Sequence, residues 1–402
     1  MSENVSIQSM GEELPPRKRS ERVRNPFVMV GNAVISVLFV AAVVGAGVIE
    51  YGLRDMDTPG PLQEDKIVNI PSRAGKAEIA DTLKSEGVIT VDPWRFMIAV
   101  YLRKAPQLKP GEFSFHKNAS LGEVIATIAE GKVVQHAITT PEGLTSEQIV
   151  ARLSENPILV GSVREVPREG TLLPETYKFP RDTQREQVLS RMQRDHTRVL
   201  AEIWERRAAD LPIKTKEQLV TLASIIEKET GRADERSRVA SVYVNRLRKK
   251  MKLQSDPTII YGLVGGKGTL GRPIKKSEIT QPSPYNTYVI EGLPPGPIAN
   301  PGRASLEAAA NPAQTNYLFF VADGKGGHVF TTTYEEHKTN VNKLRALEKQ
   351  NQNQNQNDTV ESGDDETAPE ATTPAKPAPK RPAPRAPAAA PAARPAQPAV
   401  PH

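Results

Sequence analysis

The chain has 402 residues, a formal net charge of +6 and no cysteine, and 38% of its residues are hydrophobic. The absence of cysteine excludes disulfide bonds, thiolate nucleophiles and cysteine-ligated zinc, and the length suffices for two or three domains with packed cores. Part of the positive charge lies in a C-terminal segment without aromatic residues, and no basic stripe with interleaved aromatics occurs elsewhere. The composition therefore indicates no nucleic-acid partner.

The first predicted element is a transmembrane helix over residues 26–49. This run carries no charged residue and is long enough to cross roughly 30 Å of hydrocarbon. Basic residues precede it and acidic residues follow it, so the positive-inside rule places residues 1–25 in the cytoplasm and the rest of the chain outside. A cleaved signal peptide is the alternative, because Ala46 and Gly47 suit a cleavage site. The long N-terminal segment favours an uncleaved anchor.

Beyond the anchor the sequence predicts an α+β protein in four segments. These are a stem (residues 50–65), a small α+β domain (66–160), a mixed α+β domain (167–347) and a disordered Pro/Ala-rich tail (350–402). Short alternating apolar runs followed by amphipathic helical patterns indicate the two folded domains. The Asn/Gln repeats and the Pro/Ala composition of the last segment cannot bury a core.

The small domain contains two units that resemble each other. Ile79 and Leu83 stand at the same offsets after a strand and turn as Ile149 and Leu153, and each pair lies on one helix face. These units resemble LysM-type carbohydrate-binding modules. A plain α+β scaffold is the alternative, because hydrophobic periodicity is the only signal.

The larger domain contains a helical run with two glutamates, Glu227 and Glu229, beside an apolar stripe, and a second helix is predicted after a break near Gly231. Two residues apart on a helix, the glutamate side chains diverge by about 160°, so one site cannot use both as acid and base. Either one, half-buried beside leucine and isoleucine, could have its pKa raised by desolvation and act as a general acid. Periodicity does not choose between them, and solvated surface glutamates are the alternative.

A string of motifs favours a catalytic glutamate over solvated surface glutamates. The motifs follow one another in this order: ASIIEKET, SDPTIIYG, PSPYNTY, GLPPGPIANPG and VADGKGGHVF. The string resembles the YceG-like family of membrane-anchored endolytic murein transglycosylases, over roughly residues 66–343. In the wider lysozyme-like transglycosylase group a catalytic glutamate on a helix is followed by Ser or Thr, and here Thr230 follows Glu229. The resemblance therefore implies that Glu229 is the catalytic residue.

The same resemblance implies a set of substrate-binding residues. Tyr285 and Asn286 match the Tyr-Asn pair of that group, and Gln254 and Asp256, in LQSDPT, are candidates for lining the same groove. Glu227 is retained as a substrate-contact candidate.

The activity implied is that of a peptidoglycan lytic transglycosylase, a lyase that cuts the MurNAc-GlcNAc bond of nascent glycan strands and ends their elongation. One glutamate would protonate the glycosidic oxygen and then, as a base, deprotonate the muramoyl 6-hydroxyl, which leaves a 1,6-anhydro end. No cofactor and no metal is implied.

The expected partners are peptidoglycan strands, the membrane through one helix, and glycan synthases of the elongation machinery. The expected location is the bacterial inner (cytoplasmic) membrane, crossed once, with the N-terminus in the cytoplasm and the catalytic domain periplasmic or extracytoplasmic. A muramidase that hydrolyses the same bond with water, and a non-catalytic, membrane-anchored peptidoglycan-binding scaffold, are the two alternative functions.

Overall fold

The computed structural model describes residues 26–105 and 107–361. The predicted cytoplasmic segment, and the predicted tail from residue 362 onward, lie outside the described residues. Within the described part of the chain one helix, α1 (Pro26–Met56), is long and apolar enough to cross a membrane, over Pro26–Tyr51. The prediction of a single N-terminal apolar helix in an α+β protein is confirmed.

The segment predicted as a stem differs from the expectation. Helix α1 continues to Met56 without a break, and Met56 and Leu62 are both buried in the first hydrophobic core. Their burial removes apolar surface from water, so this part of the chain begins in the anchor helix and ends inside the fold.

The first core is formed by an antiparallel strand pair and three helices. In chain order these are β1 (Lys66–Ile70), α2 (Lys76–Ser85), α3 (Pro93–Leu102), β2 (Gly111–Phe115) and α4 (Leu121–Glu130). Strand β1 pairs with β2, with Lys66 opposite Phe115 and Ile70 opposite Gly111. Alternate residues of both strands point into the core. A capping box in which the Ser120 hydroxyl accepts from the Glu123 amide starts α4.

The second core crosses the boundary predicted between the two domains. It contains β3 (His136–Thr139), α5 (Ser146–Glu155), β4 (Thr176–Phe179) and α6 (Arg185–Glu205). Strands β3 and β4 pair in antiparallel register, which joins residues on either side of position 160. The two similar helices of the predicted repeat form as α2 and α5, and each buries its apolar pair, but in different cores.

The third and largest core surrounds one central helix. Its elements are α7 (Lys216–Glu229), α8 (Arg236–Arg248), α9 (Asp256–Val264), α11 (Arg303–Ala310), β5 (Phe319–Ala322) and β6 (His328–Thr331), together with Val199 and Ile203 of α6. The short helix α10 (Lys276–Ile279) buries no residue. Helix α7 is buried on every side over residues 219–226. Its two polar residues in that stretch satisfy themselves locally: Thr221 donates to the Glu217 carbonyl and Ser224 donates to the Thr221 carbonyl. This packing fixes the position of the C-terminal end of α7.

The last helix, α12 (Tyr334–Glu361), extends beyond Gln350, where the tail was predicted to begin. Its Leu, Lys, Glu and Gln residues are good helix formers. The chain divides into two compact units at residue 342, which lies within α12.

Candidate active site

The site is built around Glu229, which is the last residue of α7. The next residue, Thr230, leaves the helix with an extended backbone, φ −145° and ψ 132°. The predicted break between the two helices therefore occurs here, and α8 begins at Arg236. The side chain of Glu229 is half-buried at the end of a helix whose middle is held rigidly in the core.

Two hydroxyl groups bind one oxygen of this carboxyl group. The Tyr243 hydroxyl, from α8, donates to Glu229 Oε1 at 2.7 Å, and the Ser255 hydroxyl, just before α9, donates to the same atom at 2.6 Å. Among the described residues none donates a hydrogen bond to Oε2. One oxygen of Glu229 is thus fixed, and the other is available to a bound molecule.

The environment raises the pKa of Glu229. Burial is the main cause, because desolvation disfavours the carboxylate, and the negative charge of Asp256 acts in the same direction. The hydrogen bonds from Ser255 and Tyr243 oppose this and are outweighed. The partial negative charge at the C-terminal end of α7 also disfavours ionisation. Glu229 therefore retains its proton at a higher pH than an exposed glutamate, as a general acid requires.

The hairpin formed by β5 and β6 packs against Tyr243, one of the two residues that bind Glu229. The Phe320 ring meets the Tyr243 ring edge-on, with centroids 6.0 Å apart, and the His328 ring lies 5.3 Å from Phe320. His328 is held by the buried Glu235, whose carboxylate lies 2.7 Å from the ring Nδ1 and accepts from the backbone amide at 3.0 Å. Burial opposes ionisation of Glu235, but the hydrogen bonds from His328 prevail and lower its pKa. The contact between the Glu235 carboxylate and His328 therefore holds the hairpin against the N-terminal end of α8.

A buried arginine joins the remaining parts of the site. Arg246 donates to the carbonyls of Leu318 and Leu253, both at 2.7 Å. Leu318 precedes β5, and Leu253 precedes the LQSDPT candidates. Because Arg246 and Tyr243 lie on one helix, α8 positions the hairpin, the SDPT segment and one hydroxyl donor together.

Two of the predicted groove residues flank Ser255 directly. Gln254 and Asp256 are both exposed, and Asp256 accepts a 2.6 Å hydrogen bond from the Tyr288 hydroxyl. Gln254 has a left-handed backbone, φ 54°, and its backbone N–H donates to the Thr287 carbonyl. The structure thus brings both residues beside the Glu229 carboxyl group.

Asn286 has a different position from the one that substrate contact requires. It is buried, and its side-chain nitrogen donates to three backbone carbonyls, those of Glu278, Ile279 and Gln281. Its side-chain oxygen accepts from the Tyr288 amide at 3.0 Å. Its hydrogen-bonding groups are occupied within its own loop, where they hold Tyr288 next to Asp256.

Tyr285 belongs to a second cluster. Its half-buried ring lies 5.0 Å from the ring of Tyr261, and the Tyr261 hydroxyl donates to Glu169 at 3.3 Å. Burial raises the pKa of Glu169, and hydrogen bonds from Ser146 partly oppose this. The cluster provides aromatic rings beside a carboxyl group, and no hydrogen bond joins Tyr285 to Glu229 within the described residues.

Glu227 has its own set of partners. Its Oε2 accepts from the Gly302 amide at 2.8 Å, and its Oε1 lies 3.9 Å from a guanidinium nitrogen of Arg236. Neither of these partners forms a hydrogen bond or ion pair with Glu229. This agrees with the divergence expected for the side chains of Glu227 and Glu229, which are two residues apart on the helix. Glu227 holds the loop before α11 against α7.

Sequence reasoning did not identify Tyr243, Ser255 or Tyr288. Ser255 stands between Gln254 and Asp256 in LQSDPT, so its place in this motif is a signal that could have identified it. Tyr243 lies among apolar residues of α8 and is indistinguishable by pattern from a core residue. Within the described part of the chain, no cluster of three or more His, Cys, Asp or Glu residues could hold a metal ion.

Comparison with known proteins decides the family. Residues 68–343 match the model of the YceG-like family. The chain belongs to this family. This match confirms the resemblance to the YceG-like family that the motifs indicated.

Two relatives of the YceG-like chain carry the name endolytic murein transglycosylase. The one from Bacillus subtilis (strain 168) is 33% identical over 302 residues, which cover 67% of this chain and 82% of the relative. The one from Streptococcus pneumoniae serotype 2 (strain D39) is 27% identical over 361 residues, which cover 77% of this chain but 64% of the relative. A solved YceG-like protein from Listeria monocytogenes is 30% identical, with a TM-score of 0.42, over 69% of this chain and 99% of that one.

The raised pKa of Glu229 predicts an effect on stability. Between the pKa of an unfolded glutamate and the higher pKa in the fold, the folded state binds more protons, so stability falls as pH rises through that window. Glu229→Gln keeps the shape and cannot ionise. We expect its melting temperature to exceed that of the wild type at pH 8 and to equal it below the usual glutamate pKa of about 4.3. Equal melting temperatures at both pH values would contradict the raised pKa.

Proposed function

We propose that this chain is an endolytic murein transglycosylase, a lyase that cuts the bond between MurNAc and GlcNAc and leaves 1,6-anhydro ends. The observation that carries the proposal is the environment of Glu229. Its half-buried carboxyl group has a raised pKa, one of its oxygens is bound by Tyr243 and Ser255, and the other accepts no hydrogen bond from the residues that the structure describes. The names of the relatives from Bacillus subtilis and Streptococcus pneumoniae support the substrate class.

In the first step, Glu229 acts as an acid. Because Oε1 accepts two hydrogen bonds, the proton resides on Oε2. Oε2 delivers the proton to the glycosidic oxygen as the bond to the anomeric carbon breaks. The carboxylate that forms is stabilised by the hydroxyls of Tyr243 and Ser255, whose hydrogen bonds strengthen as the charge develops.

In the second step, the same carboxylate acts as a base. It removes the proton of the muramoyl 6-hydroxyl, whose oxygen closes on the anomeric carbon, so no water enters the product. No carboxylate nucleophile is needed, because the 2-acetamido group of the substrate can stabilise the intermediate, a recognised departure from the two-carboxylate scheme. Glu227, with its own partners at Arg236 and Gly302, takes no part in this exchange.

The substrate contacts are assigned by position. Gln254 and Asp256 are exposed on either side of Ser255 and would contact the sugars at the cleaved bond, with Tyr288 orienting Asp256. Tyr285, with Tyr261, offers a ring surface for a more distant sugar. We assign Asn286 to holding this loop instead of to substrate contact, since its amide is already bound.

The remaining assignments concern the setting of the enzyme. We propose that residues 66–160 contain a LysM-like module that holds glycan strands and that the catalytic site lies within residues 167–347; the second core joins the two regions across position 160. The basic residues before α1 support a cytoplasmic N-terminus, and we propose that both regions lie on the opposite, periplasmic or extracytoplasmic, side of the inner membrane. Glycan synthases that extrude new strands at this surface are the natural partners.

The endolytic character can be tested by product length. Purified glycan strands without peptide stems, of narrow length distribution, are incubated with the full chain in detergent, and the products are separated by size. An enzyme that cuts internally produces oligosaccharides of intermediate length early in the reaction. Release of disaccharides alone from the start would contradict the proposal, and unchanged strands would support the scaffold alternative.

A further inference from the structure

Helix α3 is apolar on both of its faces. One face is buried in the first core through Phe96, Ala99 and Val100. The opposite face carries large apolar side chains that are exposed to solvent by 57, 42, 39 and 83% in chain order: Trp94, Met97, Ile98 and Tyr101. At about 100° per residue these four lie within an arc of roughly 100°. A contiguous exposed apolar patch of this kind marks an interaction surface.

This patch is continuous with the membrane anchor. Trp94, Ile98 and Leu102 of α3 line one cleft together with Val44 and Val48 of α1. The apolar part of α1 has 26 residues, about 39 Å at 1.5 Å per residue, which exceeds the roughly 30 Å of hydrocarbon. The last turns of the apolar part therefore reach the headgroup region, and α3 lies beside those turns.

The residue types in and around the patch are typical of the headgroup region of a bilayer. Trp and Tyr are enriched where hydrocarbon meets water, and the patch carries one of each. The Arg95 guanidinium lies over the ring of Tyr51 at 5.6 Å, and Arg103, just after α3, forms a 2.6 Å ion pair with Asp57. Arg95, Arg103 and Lys104 lie within or just after α3 in sequence, and basic groups of this kind are attracted to the phosphates of lipid headgroups.

We propose that α3 is an interfacial membrane helix: Trp94, Met97, Ile98 and Tyr101 insert at the boundary between headgroups and acyl chains, beside the end of α1. Two contacts then hold the first domain on the bilayer, and it has one fixed orientation instead of pivoting on the anchor. The occupant of the patch is lipid. This inference does not depend on the catalytic proposal, because it concerns only residues of α1 and the first core.

The two tryptophans of the chain provide a direct test. The full-length Trp204→Phe variant, in which Trp94 is the only tryptophan, is reconstituted in phosphatidylcholine vesicles with bromine at a shallow acyl position, at a deep acyl position, or absent. We expect strong loss of Trp94 emission with shallow bromine and less with deep bromine. The matched control is Trp94→Phe, whose remaining Trp204 is partly buried against the third core and should keep its emission in all three.

A second measurement avoids any effect of replacing Trp204. Since the chain has no cysteine, a nitroxide can be placed at Tyr101→Cys and, as control, at Lys249→Cys, an exposed position directly after α8. In vesicles of this protein alone, the Tyr101 label should be more accessible to oxygen than to a water-soluble nickel complex, and the Lys249 label the reverse. Access of the nickel complex to both labels would overturn the proposal. Shielding of Trp94 and of the Tyr101 label from lipid and water reagents alike would also overturn it, because a second protein copy would then cover the patch.

Discussion

Replacing Glu229 by Gln is expected to slow glycan cleavage on the order of 100-fold or more, because the amide keeps the shape of the side chain but has no acidic proton to deliver. The hydrogen bonds from Tyr243 and Ser255 to Oε1 can remain, so the fold of the site is preserved. The rate is measured as new chain ends released per enzyme from purified glycan strands, at the pH of highest wild-type activity.

The matched control is Glu217→Gln, which makes the same change at an exposed position in the first turn of the same helix. It should retain the wild-type rate. Wild-type activity in Glu229→Gln would remove Glu229 from the catalytic role, whereas a comparable loss in Glu217→Gln would show that the effect comes from α7 as a whole.

Removing the two hydroxyl donors should change both the rate and its pH dependence. Tyr243→Phe and Ser255→Ala each delete a hydrogen bond that stabilises the Glu229 carboxylate formed in the first step. A hydrogen bond to a charged group contributes about 1.5–3 kcal/mol, so each variant should lose on the order of 10-fold or more in kcat. Loss of the donor also raises the pKa of Glu229 further, because these bonds lower it in the wild type.

The direction in which the pH profile shifts distinguishes hydrogen bonding of Tyr243 and Ser255 to Glu229 from a purely structural role of these residues. The acid form of Glu229 starts the reaction, so activity falls as pH rises through its pKa, and this alkaline limb should move to higher pH in both variants. The control is Tyr334→Phe, which removes an exposed tyrosine hydroxyl at the start of α12 and should leave the profile unchanged. A uniform loss at every pH, with the limb in its original place, would contradict the assignment of Tyr243 and Ser255.

The fold could be predicted from the sequence wherever a local pattern determines it. The apolar run of α1, the repeated apolar pairs of α2 and α5, and the break after Glu229 all appear at the expected positions. The division into cores could not be predicted, because it depends on the pairing of β3 with β4, which are far apart in sequence. The stem differed for a similar reason: Met56 is buried only because distant residues of the first core surround it.

The candidate site, like the fold, could be predicted only where a local sequence pattern determines it. Glu229, Gln254 and Asp256 follow from motifs, and the structure brings them together. The role of Tyr243 depends on α8 crossing the end of α7, which no local pattern reveals. Asn286 shows the converse, since its match to a family pair says nothing of the three carbonyls that its amide binds.

The most direct test of the account is the mass of the chain ends that the enzyme produces. The full chain is incubated with purified glycan strands, and the new ends are analysed by mass spectrometry. Because the 6-hydroxyl of the substrate, and not water, closes on the anomeric carbon, we expect 1,6-anhydro ends that are lighter than reducing ends by one water. New reducing ends would show hydrolysis by a muramidase and would contradict the proposed second step of Glu229.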